Sequence, residues 1–117
     1  MKYFKDDSFK CQCGCGFDVT NEVKELSDRL REVCGIPLIV NSGARCKAHN
    51  KAIGASDTSS HIDGLAVDFR CVDSHSRYII LSSAIKLGIQ RIGLHKKFIH
   101  IDIARDRADE VVWFYQP

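Results

Sequence analysis

Two short segments place histidine and aspartate at spacings that suit metal chemistry. The first runs from His61 to Asp68, and the second contains His100 followed by Asp102. Two imidazoles and one carboxylate suit zinc, and three protein ligands leave a fourth position for water, as in catalytic zinc sites. The residue types therefore predict a zinc site in which His61, Asp68 and His100 are the ligands.

Strand alternation is the feature that would bring these side chains together. Over residues 65–70 it places the apolar side chains on one face and Asp68 on the other. Over residues 98–103 it places three isoleucines on one face and His100 with Asp102 on the other. The two strands therefore each present a polar face that carries metal-binding groups.

Gly64 is needed to bring the first histidine back to its strand. On a continuous helix His61 and Asp68 would stand about 10 Å apart along the axis, too far apart to share a metal. A turn at the glycine allows the chain to fold back. The competing interpretation is that the histidines are hydrogen-bonded structural residues and the aspartates only cap turns.

The rest of the chain supplies helices and further strands. An N-cap at Thr20 or Asn21 predicts the start of an amphipathic helix that ends before Gly35. Its apolar positions at helical spacing are Val23, Leu26, Leu30 and Val33. Further patterns predict an aliphatic strand at residues 37–41, helical turns at 46–53, a helix at 74–87, and strands at 89–94, 98–103 and 111–115. Helices and strands are mixed, and neighbouring strands at the C-terminal end are close enough in sequence to form hairpins. This pattern predicts an α+β fold in which helices pack on a mainly antiparallel sheet.

Size and charge restrict the class of protein. A chain of 117 residues forms one domain, predicted over residues 1–117, with residues 1–19 as a cysteine-rich N-terminal arm. Seventeen Lys and Arg against fifteen Asp and Glu give a net charge of +2, which argues against nucleic acid as a partner. The composition excludes disorder and coiled coil, and a monomer is expected.

No segment has the length of a membrane span, and the first residues lack the apolar core of a signal peptide. We therefore expect synthesis in the cytoplasm without membrane insertion. Action outside that compartment would require lysis, a dedicated channel or incorporation into a virion.

The six cysteines leave their chemical state open. Cys11, Cys13 and Cys15 alternate, and Cys46 with His49 has the spacing of half a metal site. The C-x-C spacing is weaker evidence than paired C-x-x-C motifs, so free thiols and disulfides are favoured over a second, structural zinc. The remaining two, Cys34 and Cys71, are interpreted as buried small hydrophobic residues.

The motifs resemble a known family. Residues 59–68 resemble the S-x-H-x-x-G-x-A-x-D signature of the zinc D-alanyl-D-alanine carboxypeptidases, and residues 98–102 resemble their later F-[VI]-H-[VI]-D segment. Residues 42–45 look like the S-G-x-R that precedes both. The chain is similar to the short, single-domain members common in bacteriophage genomes, some of which would be endolysins. The resemblance implies the Hedgehog/DD-peptidase fold, one catalytic zinc and a peptidoglycan stem peptide or cross-bridge as substrate.

Carried over by position, His61, Asp68 and His100 resemble the zinc ligands of that family. Arg45 resembles the arginine that receives a substrate carboxylate, which suits the planar guanidinium. Ser59 matches the signature serine, which positions a ligand or the substrate, or only forms a turn.

The general base is the point of departure from the family. Several branches place an acidic residue three positions before the last histidine ligand, where this chain has Lys97. A lysine ammonium cannot accept a proton. Asp102 is the first candidate for the base, His95 the second and Asp63 the third. Asp102 is equally well interpreted as a partner that orients an imidazole.

Two functions follow from these residues. The first is a zinc peptidase that hydrolyses an amide bond in peptidoglycan peptides, as a carboxypeptidase or an endopeptidase. The alternative is a binding or structural module of the same fold that keeps the metal without turnover, which the lysine at the expected base position favours.

Overall fold

The computed structural model describes residues 1–115, and the last two residues of the predicted domain, Gln116 and Pro117, lie outside this range. The elements in chain order are helix α1 (Asn21–Cys34), strand β1 (Val40–Ser42), helix α2 (Lys47–Ala52), a 3-10 helix (Ser60–Asp63), strand β2 (Ala66–Arg70), helix α3 (Ser74–Lys86), and strands β3 (Arg91–Leu94), β4 (Phe98–Asp102) and β5 (Val111–Phe114). None of these helices is long and apolar enough to cross a membrane.

The strands form one five-stranded sheet in the order β1-β2-β4-β3-β5. Neighbouring strands are antiparallel except for β3 and β5, which are parallel. The predicted α+β fold with a mainly antiparallel sheet is therefore confirmed. The expected C-terminal hairpins are confirmed only for β3 and β4. Strand β4 already has a neighbour on each side, so β5 joins the sheet at the free edge of β3.

The core covers one face of the sheet. Val67 and Phe69 of β2 and Ile99 and Ile101 of β4 are fully buried there, as their alternation predicts. Helices α1 and α3 contact each other and contribute Leu30 and other apolar side chains to the same core. The opposite face of β2 and β4 is thereby left to carry polar groups.

Helix α1 begins and ends where capping residues predict. The Thr20 hydroxyl accepts a hydrogen bond from a backbone N–H of the first turn, and Gly35 ends the helix in the left-handed conformation. Its buried stripe consists of Val23, Ser27, Leu30 and Cys34. Val33, a predicted apolar position of this helix, is 41% exposed.

The N-terminal segment, residues 1–19, has no helix or strand and packs against the rest of the protein. Phe9 is completely buried, and Cys11 and Val19 are nearly so. The backbone N–H of Ala44 donates a hydrogen bond of 2.8 Å to the Phe9 carbonyl. The segment is thus fixed to the loop that follows β1.

Candidate metal centre

Pairing of β2 with β4 brings the two strand-borne groups together. Asp68 lies directly opposite His100 in the antiparallel register. The alternation of both strands points the two side chains to the face opposite the core. The Asp68 Oδ1 atom lies 2.8 Å from Nδ1 of His100.

The 3-10 helix supplies the third group. The Ser59 hydroxyl accepts the backbone N–H of His61, and Gly64 ends the helix with a φ of 70°. A side chain at Gly64 would also collide with the Asp18 carbonyl, because its Cβ would lie 2.9 Å from that oxygen. The chain therefore turns back, and His61 Nε2 lies 3.2 Å from Asp68 Oδ1.

In each histidine, the ring nitrogen that does not face Asp68 has a hydrogen-bond partner of its own. His61 Nδ1 donates to the Gly43 carbonyl at 2.6 Å, and His100 Nε2 donates to Asp102 Oδ2 at 2.7 Å. A neutral imidazole that donates from one nitrogen carries a lone pair on the other. In the neutral rings both lone pairs face Asp68, where a metal can bind them, and in the protonated rings the same nitrogens donate to the Asp68 carboxylate.

This arrangement fits a divalent metal. His61, Asp68 and His100 each offer one ligand atom, and all three atoms lie within 4.8 Å of one another. Outer hydrogen bonds that fix the ring tautomers are typical of metal-binding histidines. Three ligands of this chemistry match a zinc site that keeps an open position.

The electrostatics favour a positive charge at the same point. Burial acts to raise the pKa of the Asp68 carboxyl, but its hydrogen bonds with His100 and His61 outweigh burial and hold the pKa well below its usual range. Burial also lowers the pKa of His100, but its contacts with Asp102 and Asp68 outweigh burial and raise it. The carboxylates thus stabilise a cation between the rings.

Asp102 is saturated with hydrogen bonds. Oδ1 accepts from Arg91 Nε at 2.6 Å and from the Ala104 backbone at 3.1 Å. Oδ2 accepts from His100 at 2.7 Å and from the Ser60 hydroxyl at 3.1 Å. Burial opposes ionisation, but the contacts to His100, Arg91 and Ala104 outweigh it and lower the pKa of Asp102 to about 2.

A cleft of about 520 Å³ opens over the three groups. Its wall includes Arg45, whose NH2 group donates to Ser59 Oγ at 3.2 Å. The Nε atom of Arg45 is buried and, among residues 1–115, has no hydrogen-bond partner. A buried donor without a partner is costly, so this N–H is suited to an acceptor from a ligand.

The structure does not bring every candidate into this cleft. Among the described residues, the carboxylates that line it are Asp68 and Asp102. His95 stacks on Phe98 at a centroid distance of 4.5 Å and does not line the cleft. Asp63 is exposed and also lies outside its lining.

Several residues of the site were missed by the sequence analysis. The hydrogen bond from His61 to the Gly43 carbonyl could not be predicted, because every residue type has a backbone carbonyl. Arg91 and Ser60 both donate hydrogen bonds to Asp102. The available signals in the sequence were the alternation along β3 for Arg91 and the position next to His61 for Ser60. The remaining missed groups line the cleft: Arg107, Trp113 and Tyr115.

Comparison with known proteins gives the family. The model of the Peptidase M15 family matches residues 2–102, which is most of the chain. This chain therefore belongs to the M15 family of zinc D-Ala-D-Ala carboxypeptidase-type metallopeptidases. Membership indicates a metallopeptidase and implies zinc, for which His61, Asp68 and His100 form a possible site. No curated protein matches the chain.

Proposed function

We propose that this chain hydrolyses an amide bond in peptidoglycan peptides, as a D-Ala-D-Ala carboxypeptidase or an endopeptidase of that type. One observation carries the proposal. The two imidazole nitrogens and the Asp68 oxygen converge at the floor of a cleft, with His61 and His100 each oriented by a second hydrogen bond.

We assign the zinc to His61, Asp68 and His100. A zinc ion held by these residues would polarise a substrate carbonyl and would lower the pKa of a water molecule to about 7. Neighbouring groups of the chain hold these ligands in position before a metal binds. The Gly43 carbonyl and Asp102 set the tautomer and direction of the two rings, so little reorganisation accompanies metal binding.

We assign the binding of a substrate carboxylate to Arg45. Its guanidinium lies in the cleft wall, one nitrogen is held by Ser59, and its buried Nε is unpaired among the described residues. A carboxylate would satisfy that donor and hold the neighbouring amide in the cleft that His61, Asp68 and His100 also line. Ser59 has two supporting contacts, since its hydroxyl also accepts the His61 backbone N–H.

The contacts of Asp102 favour a positioning role. Each of its oxygens already accepts two hydrogen bonds, so neither has a free lone pair for a water molecule. His95, the second candidate for the base, lies outside the cleft lining. We therefore propose that Asp102 orients His100 and neutralises Arg91.

A defined muropeptide assay tests the function. Zinc-loaded protein and chelator-treated protein are incubated with a pentapeptide monomer and a cross-linked dimer, and the products are identified by mass spectrometry. We expect cleavage only with zinc. Loss of terminal D-alanine indicates a carboxypeptidase, and conversion of dimer to monomer indicates an endopeptidase. An intact mixture in the presence of bound zinc would reject the peptidase.

A second candidate is a module that binds the same peptides through the metal without cleaving them. The observation that favours it is the state of the carboxylates. Of the two that line the cleft among residues 1–115, Asp68 is assigned to the zinc, and Asp102 already accepts four hydrogen bonds. Binding of the pentapeptide to the zinc-loaded protein without products would select this function.

A further inference from the structure

Four of the six cysteines converge at one point, away from the cleft. Each sulfur atom of this cysteine cluster lies within 4.8 Å of the other three, and all six cysteines are free thiols. The members of the cluster are Cys11, Cys13, Cys15 and Cys46. His49, the expected partner of Cys46, is not among the converging side chains.

The sulfur separations match a tetrahedral metal site. The Sγ atom of Cys13 lies 3.4 Å from that of Cys11 and 3.6 Å from that of Cys46. A tetrahedron with zinc–sulfur bonds of about 2.3 Å has edges of about 3.8 Å. The thiols therefore already surround a volume of the correct size for one ion.

The backbone around the cysteine cluster supports thiolates. The backbone N–H of Cys46 donates to Cys11 Sγ at 3.4 Å, and that of His49 donates to Cys46 Sγ at 3.4 Å. Hydrogen bonds of this kind stabilise a negative charge on sulfur. Gly14 and Gly16, both at positive φ, allow the chain to curl so that three thiols reach one point.

We propose that the cysteine cluster is a structural, tetrathiolate zinc site. Four protein ligands close the coordination shell, so this zinc holds structure and does not activate water. Each thiol loses its proton when the metal binds. The ion would link the N-terminal segment to Cys46, which immediately follows Arg45 in the chain. The inference is independent of the proposed function, since it concerns other residues.

Metal content of matched variants tests this site. Protein purified under anaerobic conditions without reductant should carry about two zinc ions per chain, and the pair Cys13→Ser and Cys15→Ser should remove one of them. The exposed positions of Cys13 and Cys15 limit the cost to folding. The pair His61→Ala and His100→Ala should remove the other ion, and Cys34→Ala, outside the cluster, should remove none. These arms separate failure of the cysteine site from failure of the histidine site.

A second measurement needs no variant in the cluster. Cobalt(II) bound to the wild-type chain should give an intense sulfur-to-cobalt charge-transfer band, which the histidine site cannot produce because it has no thiolate. Thiol titration after denaturation in chelator should find all six cysteines. Unchanged zinc in the Cys13→Ser and Cys15→Ser protein, absence of the band, fewer than six thiols, or iron in place of zinc would each overturn the proposal.

Discussion

The histidine cluster, which consists of His61, Asp68 and His100, and the cysteine cluster each bring together side chains that can bind one metal ion. They differ in the elements that position those side chains. His100 and Asp68 lie on paired strands, and Asp102 fixes one ring from behind. The cysteine cluster is built on turns, and two of its four members, Cys13 and Cys15, are exposed. We therefore expect the sheet to hold the first site in place without metal, whereas the order of the second site should depend more strongly on its proposed ion.

Gly43 connects the two regions. Its carbonyl accepts the hydrogen bond from His61, and its Cα faces the N-terminal segment at Phe9. The fixed position of that segment therefore contributes to the orientation of one proposed zinc ligand. Loosening the cysteine cluster should affect the histidine cluster only indirectly, through this contact.

The largest expected effect follows from removal of a histidine ligand. We expect His100→Ala to lose one zinc ion and to lower muropeptide cleavage to the level of chelator-treated protein, while the far-ultraviolet circular dichroism stays unchanged. His75→Ala, at an exposed helical position, is the matched control. Full activity of the His100 variant would remove the histidine cluster from the chemistry.

The next effect concerns the orientation of His100. We expect Asp102→Asn to lower zinc affinity by about ten- to a hundredfold, with cleavage restored by excess zinc. Asp63→Asn, an exposed carboxylate outside the cleft, should change neither quantity. A zinc titration of activity is the measurement. A slower reaction at unchanged zinc affinity would instead assign Asp102 as the general base.

The third effect concerns the binding of a substrate carboxylate by Arg45. We expect Arg45→Lys to lower kcat/KM by about 10- to 100-fold at unchanged zinc content, because lysine keeps the charge but loses the planar pair of donors. Arg70→Lys, on the exposed end of β2, is the control. With the wild type, kcat/KM for a peptide with an amidated C-terminus should be lower by a similar factor. Equal kcat/KM values for the wild type and Arg45→Lys would contradict a paired contact between Arg45 and a substrate carboxylate.

The smallest effect tests the link between the two regions. In Gly43→Ala the added Cβ would lie 2.3 Å from the Phe9 carbonyl oxygen, so the N-terminal segment must shift. We expect a loss of about 1 to 3 kcal/mol in the free energy of unfolding and faster amide exchange in residues 1–19. Exchange that stays at the wild-type rate would show that the segment does not depend on this contact.

Much of the sheet could be predicted because alternation is a local property. The faces of β2 and β4 follow from period two, so Ile99 and Ile101 were placed in the core correctly. The pairing of β5 with β3 depends on which sheet edge is free, and no local pattern contains that information. Val33 was misplaced because small residues, Ser27 and Cys34, complete the buried stripe of α1.

The two clusters also differ in how far their convergence could be predicted from the sequence. Asp68 and His100 could be paired from the sequence, since each lies on the polar face of its own strand. Cys46 is more than thirty residues from Cys11, Cys13 and Cys15, and its approach depends on packing of the N-terminal segment. Spacing alone could not reveal that convergence, so it favoured thiols or disulfides over a metal.

The most direct test measures zinc per chain and muropeptide cleavage on the same preparations of two double variants. The account predicts that His61→Ala with His100→Ala loses one zinc and all cleavage, whereas Cys13→Ser with Cys15→Ser loses one zinc and retains measurable cleavage. Persistent cleavage in the histidine variant, or equal loss of cleavage in both, would contradict a division between a catalytic histidine site and a structural cysteine site.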